Sequence, residues 1–169
     1  MRQCKIDCFQ APAGHLMTIE QIVILLPRKA MALPQTAPAQ EPGVQFNQPG
    51  FLALIGPVRT EKNKDASWTF SFVVGEEHLN PGGVCHGGML MSFADHVLGT
   101  VVWEAIGFKP CSTITLNTDF ALAAKLGDVI EGEARVTRAT RSLVFVTGAL
   151  TCRGKVVLQA NGIWKVLGA

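Results

Sequence analysis

The chain has 169 residues, of which 48% are hydrophobic, and a formal net charge of +2. This length and apolar content suffice for one domain of ordinary size with a continuous core. The small net charge, with no run of basic residues longer than a pair, argues against nucleic-acid binding and leaves a small molecule as the expected partner.

The cysteines and an apolar run near the N-terminus indicate the cellular compartment of the protein. The five cysteines form no CxxC pair, and such an odd, scattered set is typical of reduced thiols rather than of a disulfide framework. The apolar run Ile22–Leu26 stops at Pro27 and is too short for a membrane span. We therefore predict a soluble, cytoplasmic protein without a membrane partner. A mitochondrial location stays open if the N-terminal segment is genuine, because that segment has few acidic residues, as transit peptides do.

Residues 1–44 are predicted to form a flexible N-terminal extension, because residues 32–43 are a tract of Pro, Ala and Gln without periodicity. One hypothesis is that the native protein starts at Met31 and that residues 1–30 come from an upstream mis-start. The alternative is a genuine targeting or docking tail. Mass spectrometry of the native N-terminus distinguishes the two. The folded domain is predicted over residues 45–169.

Two strands and a long helix are predicted in the first half of this domain. Alternate residues from Trp68 to Val74 are large and apolar, as in a half-buried strand, and a strand near residues 57–61 is expected to precede it. A Gly-rich loop over residues 80–88 then leads into the apolar stretch 89–106. We expect this stretch to be a helix that is buried nearly all round.

Period-2 patterns predict four more strands, near residues 113–117, 130–137, 143–151 and 156–166. In the first of them, Ile114 and Leu116 are expected to share one face, with Thr113, Thr115 and Asn117 on the other.

This order of elements limits the possible folds. An antiparallel sheet with one long apolar helix in the middle is built most economically by curling the sheet around the helix, which predicts an α+β hot-dog fold. A single sheet of this kind leaves edge strands uncovered, so edge-to-edge dimerisation is expected.

Asp95 is the first candidate for chemistry, because a carboxylate in an otherwise apolar helix costs several kcal/mol unless it is paired or lies near a polar cavity. One interpretation is that it serves a reaction. The other is that it accepts hydrogen bonds from the sheet or neutralises a buried partner.

The loop before the helix favours the first interpretation. His86-Gly87-Gly88 at a helix N-terminus exposes unpaired backbone N–H groups at the positive end of the helix dipole. The Gly87 N–H is therefore a candidate donor to a developing oxyanion. Taken alone, a Gly-Gly pair is more often a plain turn, as at residues 81–83.

These residues resemble the signature of PaaI-like hot-dog acyl-CoA thioesterases of the 4-hydroxybenzoyl-CoA thioesterase superfamily. The similarity lies in Asn80 six residues before His86-Gly87-Gly88, and in Asp95 seven residues after Gly88. It continues through Thr113, Asn117 and the segment 124–128, and it covers about residues 50–167.

The resemblance implies hydrolysis of acyl-CoA thioesters to free acid and CoA, with Asp95 as general base or nucleophile and the Gly87 N–H as oxyanion donor. Asn80 would position the carbonyl or the water, and Thr113 would orient the water or the carboxylate. It also implies a site built across a homodimer, with Asn80 and Gly87 of one subunit facing Asp95 and Thr113 of the other. Pairing of dimers into a homotetramer is the expected extension of that assembly. No cofactor is implied, since CoA is part of the substrate.

The remaining substrate contacts are expected in two places. His86 is expected to shape the loop and, with Gly88, to contact the substrate. The residues that match the family's nucleotide contacts, or lie beside them with suitable charge, are Lys125, Arg138, Thr140, Arg141 and Ser142. The alternative interpretation of each of these residues is that it is a basic or polar turn residue that only makes the surface soluble.

Other arrangements are disfavoured. Four scattered histidines without paired spacing argue against a metal site. His96 projects about 100° away from Asp95 around the helix and is not expected to form a dyad with it. Cys85 is expected to be a small buried residue rather than half of a Cys–His pair.

The acyl pocket and two alternative functions complete the prediction. The expected lining residues of the pocket are Met89, Met91, Phe93, Leu98 and Trp103; the alternative interpretation is that most of these are plain core residues. The alternatives to a thioesterase are a hot-dog acyl-thioester hydratase or dehydratase and a non-catalytic acyl-CoA-binding subunit. The histidine positions argue against the first, and the retained Asp95 argues against the second.

Overall fold

The computed structural model describes residues 44–46 and 50–168. The predicted extension over residues 1–44 therefore lies outside the described residues, apart from Val44. The elements in chain order are β1 (Val44–Phe46), α1 (Phe51–Ile55), β2 (Val58–Lys62), β3 (Trp68–Val73), a 3-10 turn (Glu76–His78), α2 (Gly87–Ala105), β4 (Cys111–Phe120), β5 (Val129–Ala139), β6 (Leu143–Cys152) and β7 (Lys155–Val166).

The seven strands form one antiparallel sheet in the order β1-β2-β3-β5-β6-β7-β4. Helix α2 packs against β5, β6, β4 and β7, so the sheet wraps the helix. The predicted α+β hot-dog fold is confirmed. None of the helices in the described part of the chain combines the length and apolarity needed to cross a bilayer.

The core lies between α2 and the concave face of the sheet, and the predicted period-2 patterns mark that face. Phe70 and Phe72 of β3 are buried, as is Ile130 of β5. On β7, Ala160, Gly162, Trp164 and Val166 are buried in alternation with exposed or half-buried residues. Apolar residues two apart share one face of a strand, so these alternations predict the buried face correctly.

The prediction that the long helix is buried nearly all round is wrong. Met91 is 38% exposed and Trp103 is 45% exposed, and Asp95 between them is half-buried. These positions are spaced by four and eight residues, so they lie on one face of the helix. The sheet covers the other faces of α2, and this open face carries the carboxylate.

The expected faces of β4 are also wrong at its start. The register between β4 and β7 shifts between Thr113 and Thr115, so Ile114 lies in a β-bulge and its side chain is 56% exposed. Thr113 lies opposite Trp164, whose side chain is buried against the helix. A bulge lets residues three apart share a face, and here it turns both Thr113 and Leu116 toward α2.

Candidate active site

Asp95 and Thr113 form the polar centre of the open face of α2. The Thr113 hydroxyl donates a hydrogen bond to Asp95 Oδ1 at 2.9 Å. Helix α2 supplies the carboxylate and the bulged start of β4 supplies the hydroxyl. Because Asp95 is only half-buried, its second oxygen can face a ligand, and the expected cost of burying the charge is smaller than the sequence suggests.

Two cavities adjoin Asp95. The larger has a volume of about 750 Å³ and extends toward the C-terminal half of α2. The smaller, of about 380 Å³, extends toward the N-terminal half. The larger is rich in aromatic side chains, namely Trp68, Trp103, Phe108 and Trp164. The smaller is lined by Phe51, Leu52, Met91, Ser92, Asp95 and His96.

Two of the five residues predicted to line an acyl pocket lie at the cavities beside Asp95. Trp103 lines the larger cavity and Met91 lines the smaller one. Met89, Phe93 and Leu98 are buried in the core on the other faces of the helix, as the alternative interpretation predicts, and they line neither cavity. Hydrophobicity alone did not separate the two groups, because the helix is apolar on its open face as well.

His96 is held away from Asp95, as its position on the helix predicts. Its Nε2 lies 2.7 Å from the hydroxyl oxygen of the buried Thr60, and its ring packs edge-on against Phe70. Burial lowers the pKa of His96 below its usual 6.5, and the nearby negative charge of Asp95 acts in the opposite direction. His96 is therefore a neutral wall residue of both cavities at pH 7.

The backbone N–H groups of Gly87 and Gly88, in and after the loop before α2, differ in their partners. His86 caps the helix, since its Nδ1 accepts a hydrogen bond from the Gly88 N–H at 2.8 Å. The Gly88 amide is therefore satisfied within the loop, and a substrate contact through that amide is not supported. The Gly87 N–H has no acceptor among the residues that the structure describes. It is the loop amide that remains for a ligand.

Gly87 is also a point of close approach. A Cβ at this position would lie 3.2 Å from Cζ of Phe120, at the end of β4. Phe120 is 53% exposed, so its ring forms an apolar cover beside the Gly87 N–H. Together with Cys85 and Leu90, these two residues line a third cavity of about 360 Å³.

Asn80 closes the turn that precedes the loop. Its Oδ1 accepts hydrogen bonds from the backbone N–H groups of Gly82, at 2.8 Å, and Val84, at 3.4 Å. Its backbone N–H donates to the Val84 carbonyl at 2.8 Å. The carboxamide oxygen is therefore engaged, and the amide N–H₂ is the group that Asn80 can offer to a substrate.

The predicted CoA-binding residues lie at two ends of the domain. Arg138, Thr140, Arg141 and Ser142 belong to the β5–β6 hairpin, where the Thr140 hydroxyl donates to the Leu143 carbonyl at 2.9 Å. The Ser142 carbonyl accepts from the Val166 N–H, which places this hairpin at the Cys111 end of β4. Lys125 follows the other end of β4 and bridges to Val84 beside the Gly87 loop. One copy of the domain therefore does not bring all five residues together.

Cys85 is buried, as predicted. Its side chain is 5% exposed, and burial raises the pKa of its thiol to about 11. The thiol is therefore protonated at neutral pH, which argues against a nucleophilic role.

Sequence reasoning missed two residues of the site, Leu52 and Thr60, and the contact that Phe120 makes with Gly87. Leu52 on α1 lines both cavities beside Asp95, Thr60 fixes His96, and Phe120 covers Gly87. Each of these contacts joins positions that are far apart in the chain. No local spacing marks them, although the isolated short apolar segment 51–55 could have drawn attention to α1.

Comparison with known proteins shows which proteins this chain is similar to in sequence. Residues 82–158 match the family model described as the thioesterase superfamily. A Pseudomonas aeruginosa protein whose name provisionally describes it as an esterase is 28% identical over 120 residues, which are 70% of this chain and 90% of that protein. Mouse acyl-coenzyme A thioesterase 13 is 25% identical over 120 residues, 70% of this chain and 86% of that protein.

Solved structures agree with these matches. Zebrafish thioesterase superfamily member 2 aligns with a TM-score of 0.64 and 27% identity, over 71% of this chain and 88% of that one. The PaaI protein of E. coli has the same fold, with a TM-score of 0.53 and 22% identity over 60% of this chain and 73% of that one. The resemblance predicted from residues 80–128 is confirmed.

Proposed function

We propose that this chain, which carries a thioesterase superfamily domain over residues 82–158, hydrolyses acyl-CoA thioesters to a free acid and CoA. The observation that carries the proposal is the carboxylate of Asp95. It is oriented by the Thr113 hydroxyl at 2.9 Å and lies at the wall of two cavities that contain aromatic and aliphatic side chains. A thioester hydrolase needs this combination of an oriented oxygen base or nucleophile and an adjoining space for an apolar acyl group. The matching relatives support the same reaction class.

The chemistry requires little beyond one carboxylate and one oxyanion donor. The thiol of CoA has a pKa near that of cysteine, about 8.5, so the thiolate leaves with little help from a general acid. In one route Asp95 takes a proton from water as the water oxygen attacks the carbonyl carbon, and collapse of the tetrahedral intermediate breaks the C–S bond. In the other route the Asp95 oxygen attacks and expels the thiolate, and water then hydrolyses the mixed anhydride.

A complete site requires a second copy of the chain. Gly87 and Asp95 lie on the same helix, eight residues apart, which separates them by about 12 Å along the axis. An oxyanion donor and a base must both lie about 3 Å from the reacting group. Gly87 and Asn80 of one copy must therefore act with Asp95 and Thr113 of another.

Strand β4 supports such an assembly. It ends the described sheet, and it exposes Ile114 and Phe120 by 56% and 53%. Edge strands with exposed apolar side chains favour pairing. Thr113 and Phe120 mark the two halves of the site at opposite ends of β4. Antiparallel pairing of two β4 strands about a two-fold axis places the Thr113 end of one copy near the Phe120 end of the other.

The same pairing explains the separated CoA residues. Arg138 and Arg141 lie at the Thr113 end, and Lys125 lies at the Phe120 end. Across the two-fold axis, Lys125 of one copy approaches the hairpin of the other. We propose that the CoA phosphates bind there, with the thioester directed toward Asp95.

The test is release of free thiol from a panel of acyl-CoA esters by the wild type, Asp95→Asn and Asp95→Ala. We expect activity on some esters that falls by three or more orders of magnitude in both variants, with unchanged circular dichroism. Thr113 and the cavity walls remain in the variants, so binding should persist. If the wild type binds acyl-CoA without releasing thiol, the protein is a binding subunit and the proposal is wrong.

A further inference from the structure

We infer that Leu52 is the residue that limits the size of the acyl group, an inference that rests on the proposed function. The two cavities beside Asp95 share three lining residues, which are Leu52, Asp95 and His96. A side chain that lines two cavities lies in the wall between them. Among the described residues, Leu52 is the one apolar side chain in this wall, and it belongs to α1, whereas the other two belong to α2.

The two polar members of the wall are fixed. Asp95 receives the hydrogen bond of Thr113, and His96 is paired with the buried Thr60 and packed against Phe70. In the described part of the chain Leu52 has no comparable anchor, because α1 has only five residues and none of them is buried. Substitution at Leu52 therefore changes the wall without changing the catalytic carboxylate or the core.

The larger cavity is the better place for the acyl group. It combines about 750 Å³ with four aromatic side chains, and it includes Asp95 and Thr113 in its lining. Leu52 closes this cavity toward the smaller space of about 380 Å³ beside Phe51 and Met91. Leu52 therefore decides whether a long acyl group can use the smaller space as well as the larger one.

Truncation of Leu52 should join the two cavities. In Leu52→Ala, an extended apolar space follows the open face of α2 from Trp103 to Met91, with Asp95 at its middle. A long acyl chain then gains contacts with Phe51 and Met91 that the wild type denies it. Leu52→Trp should have the opposite effect, because a larger side chain fills part of both cavities.

The same helix provides a matched control. Leu54 is 64% exposed and lines neither cavity, so Leu54→Ala removes an equal volume from α1 without opening the wall. A change in the general stability or motion of α1 would affect Leu52→Ala and Leu54→Ala alike. A change in the wall affects only Leu52→Ala.

The experiment measures kcat/KM for hexanoyl-, octanoyl-, dodecanoyl-, hexadecanoyl- and phenylacetyl-CoA with the wild type and the three variants. For Leu52→Ala we expect the ratio of dodecanoyl to hexanoyl kcat/KM to rise by about 10-fold or more, the discrimination that a few methylene groups provide in an apolar pocket. Leu52→Trp should lower the same ratio, and Leu54→Ala should keep the wild-type value. Superimposable profiles for the two Leu52 variants and the wild type would overturn the inference, as would an equal shift in Leu54→Ala.

A binding measurement separates this inference from the proposed function. Non-hydrolysable thioether analogues of hexanoyl- and dodecanoyl-CoA are titrated calorimetrically into each protein. If the wild type hydrolyses nothing but Leu52→Ala gains affinity for the longer analogue, hydrolysis is refuted and the role of Leu52 stands. If hydrolysis occurs and the relative affinities do not change, the role of Leu52 is refuted alone. If none of the analogues binds, both fail.

Discussion

Thr113 donates its hydrogen bond to Asp95 from a strand position that would face away from the helix if β4 were regular. The bulge at Ile114 places Thr113 and Leu116 on the same face, although they are three residues apart. Thr113 lies opposite Trp164, and the indole of Trp164 packs beside Gly99 on the same side of α2 as Asp95. The irregular residue thus aims a hydroxyl at the carboxylate, which is a frequent use of bulges next to active sites.

Replacement of Thr113 by valine should lower kcat by about 10- to 100-fold, because a hydrogen bond to a charged group typically contributes about 1.5–3 kcal/mol. KM should change little, since the cavity walls keep their shape. Thr113→Ser keeps the hydroxyl and should retain activity within a few-fold of the wild type. Steady-state kinetics on one good acyl-CoA substrate measures both. Full kcat in Thr113→Val would show that the hydroxyl does not orient a reacting carboxylate.

The sequence predicted the fold because local patterns and the overall topology agree. The alternation in β3 and β7 marked the buried face, and the long apolar stretch after the Gly-rich loop marked the central helix. The helix begins at Gly87 rather than at Met89, because the His86 side chain caps it at Gly88. A histidine is an unusual cap, so the sequence alone placed the start one half-turn late.

The sequence failed where the outcome depends on contacts between distant segments. It predicted Phe93 and Met91 alike as pocket residues, but Phe93 is fully buried in the core and Met91 is 38% exposed. Both are apolar residues of an apolar helix, and only the sheet decides which face it covers. The bulge at Ile114 could not be predicted from the sequence, because polar and apolar residues alternate on both sides of it. Leu52 was missed because its role follows from the packing of α1 beside α2.

A methyl group at Gly87 should conflict with Phe120. In Gly87→Ala the new Cβ meets the Phe120 ring at 3.2 Å, which requires the ring to move. The ring is 53% exposed and has to move by only a few tenths of an ångström, so we expect a modest reduction in kcat/KM although the backbone N–H is retained. Phe120→Leu removes the ring that the methyl group contacts. The double variant should therefore lose less activity than the product of the two single effects, as measured in a double-mutant cycle. If the loss of kcat/KM in the double variant equals the product of the two single losses, Gly87 and Phe120 do not interact.

Cys85 should resist alkylation in the folded protein. Burial raises the pKa of its thiol to about 11, so the thiolate fraction at pH 8 is about 100-fold lower than for an ordinary cysteine. Iodoacetamide treatment at pH 8 followed by peptide mass mapping measures the rate at each cysteine. The same treatment in urea provides the control, since unfolding should remove the protection. Rapid native labelling of Cys85 would contradict its buried, protonated state and would reopen the Cys–His interpretation.

Protonation of His96 should destabilise the fold. Burial lowers the pKa of His96 below 6.5, and the smaller effect of the Asp95 charge does not reverse that shift. In the unfolded chain, this histidine binds a proton as the pH falls through about 6.5, whereas in the folded chain it remains neutral to a lower pH. The free energy of unfolding therefore decreases as the pH falls below about 6.5. The slope from this group reaches at most about 1.4 kcal/mol per pH unit, and above about pH 7.5 the contribution is constant. Urea unfolding at several pH values between 5 and 8 measures this pH dependence of the free energy of unfolding.

His96→Gln should flatten this pH dependence, because glutamine can bond to Thr60 but does not titrate. The wild type serves as the comparison. Other groups also titrate in this range, so the prediction concerns the difference between the wild type and His96→Gln. Equal slopes in the wild type and His96→Gln would mean that His96 binds its proton as readily in the folded protein as in the unfolded chain. In that case the pair with Thr60 would not hold a neutral imidazole in the wall of the cavity.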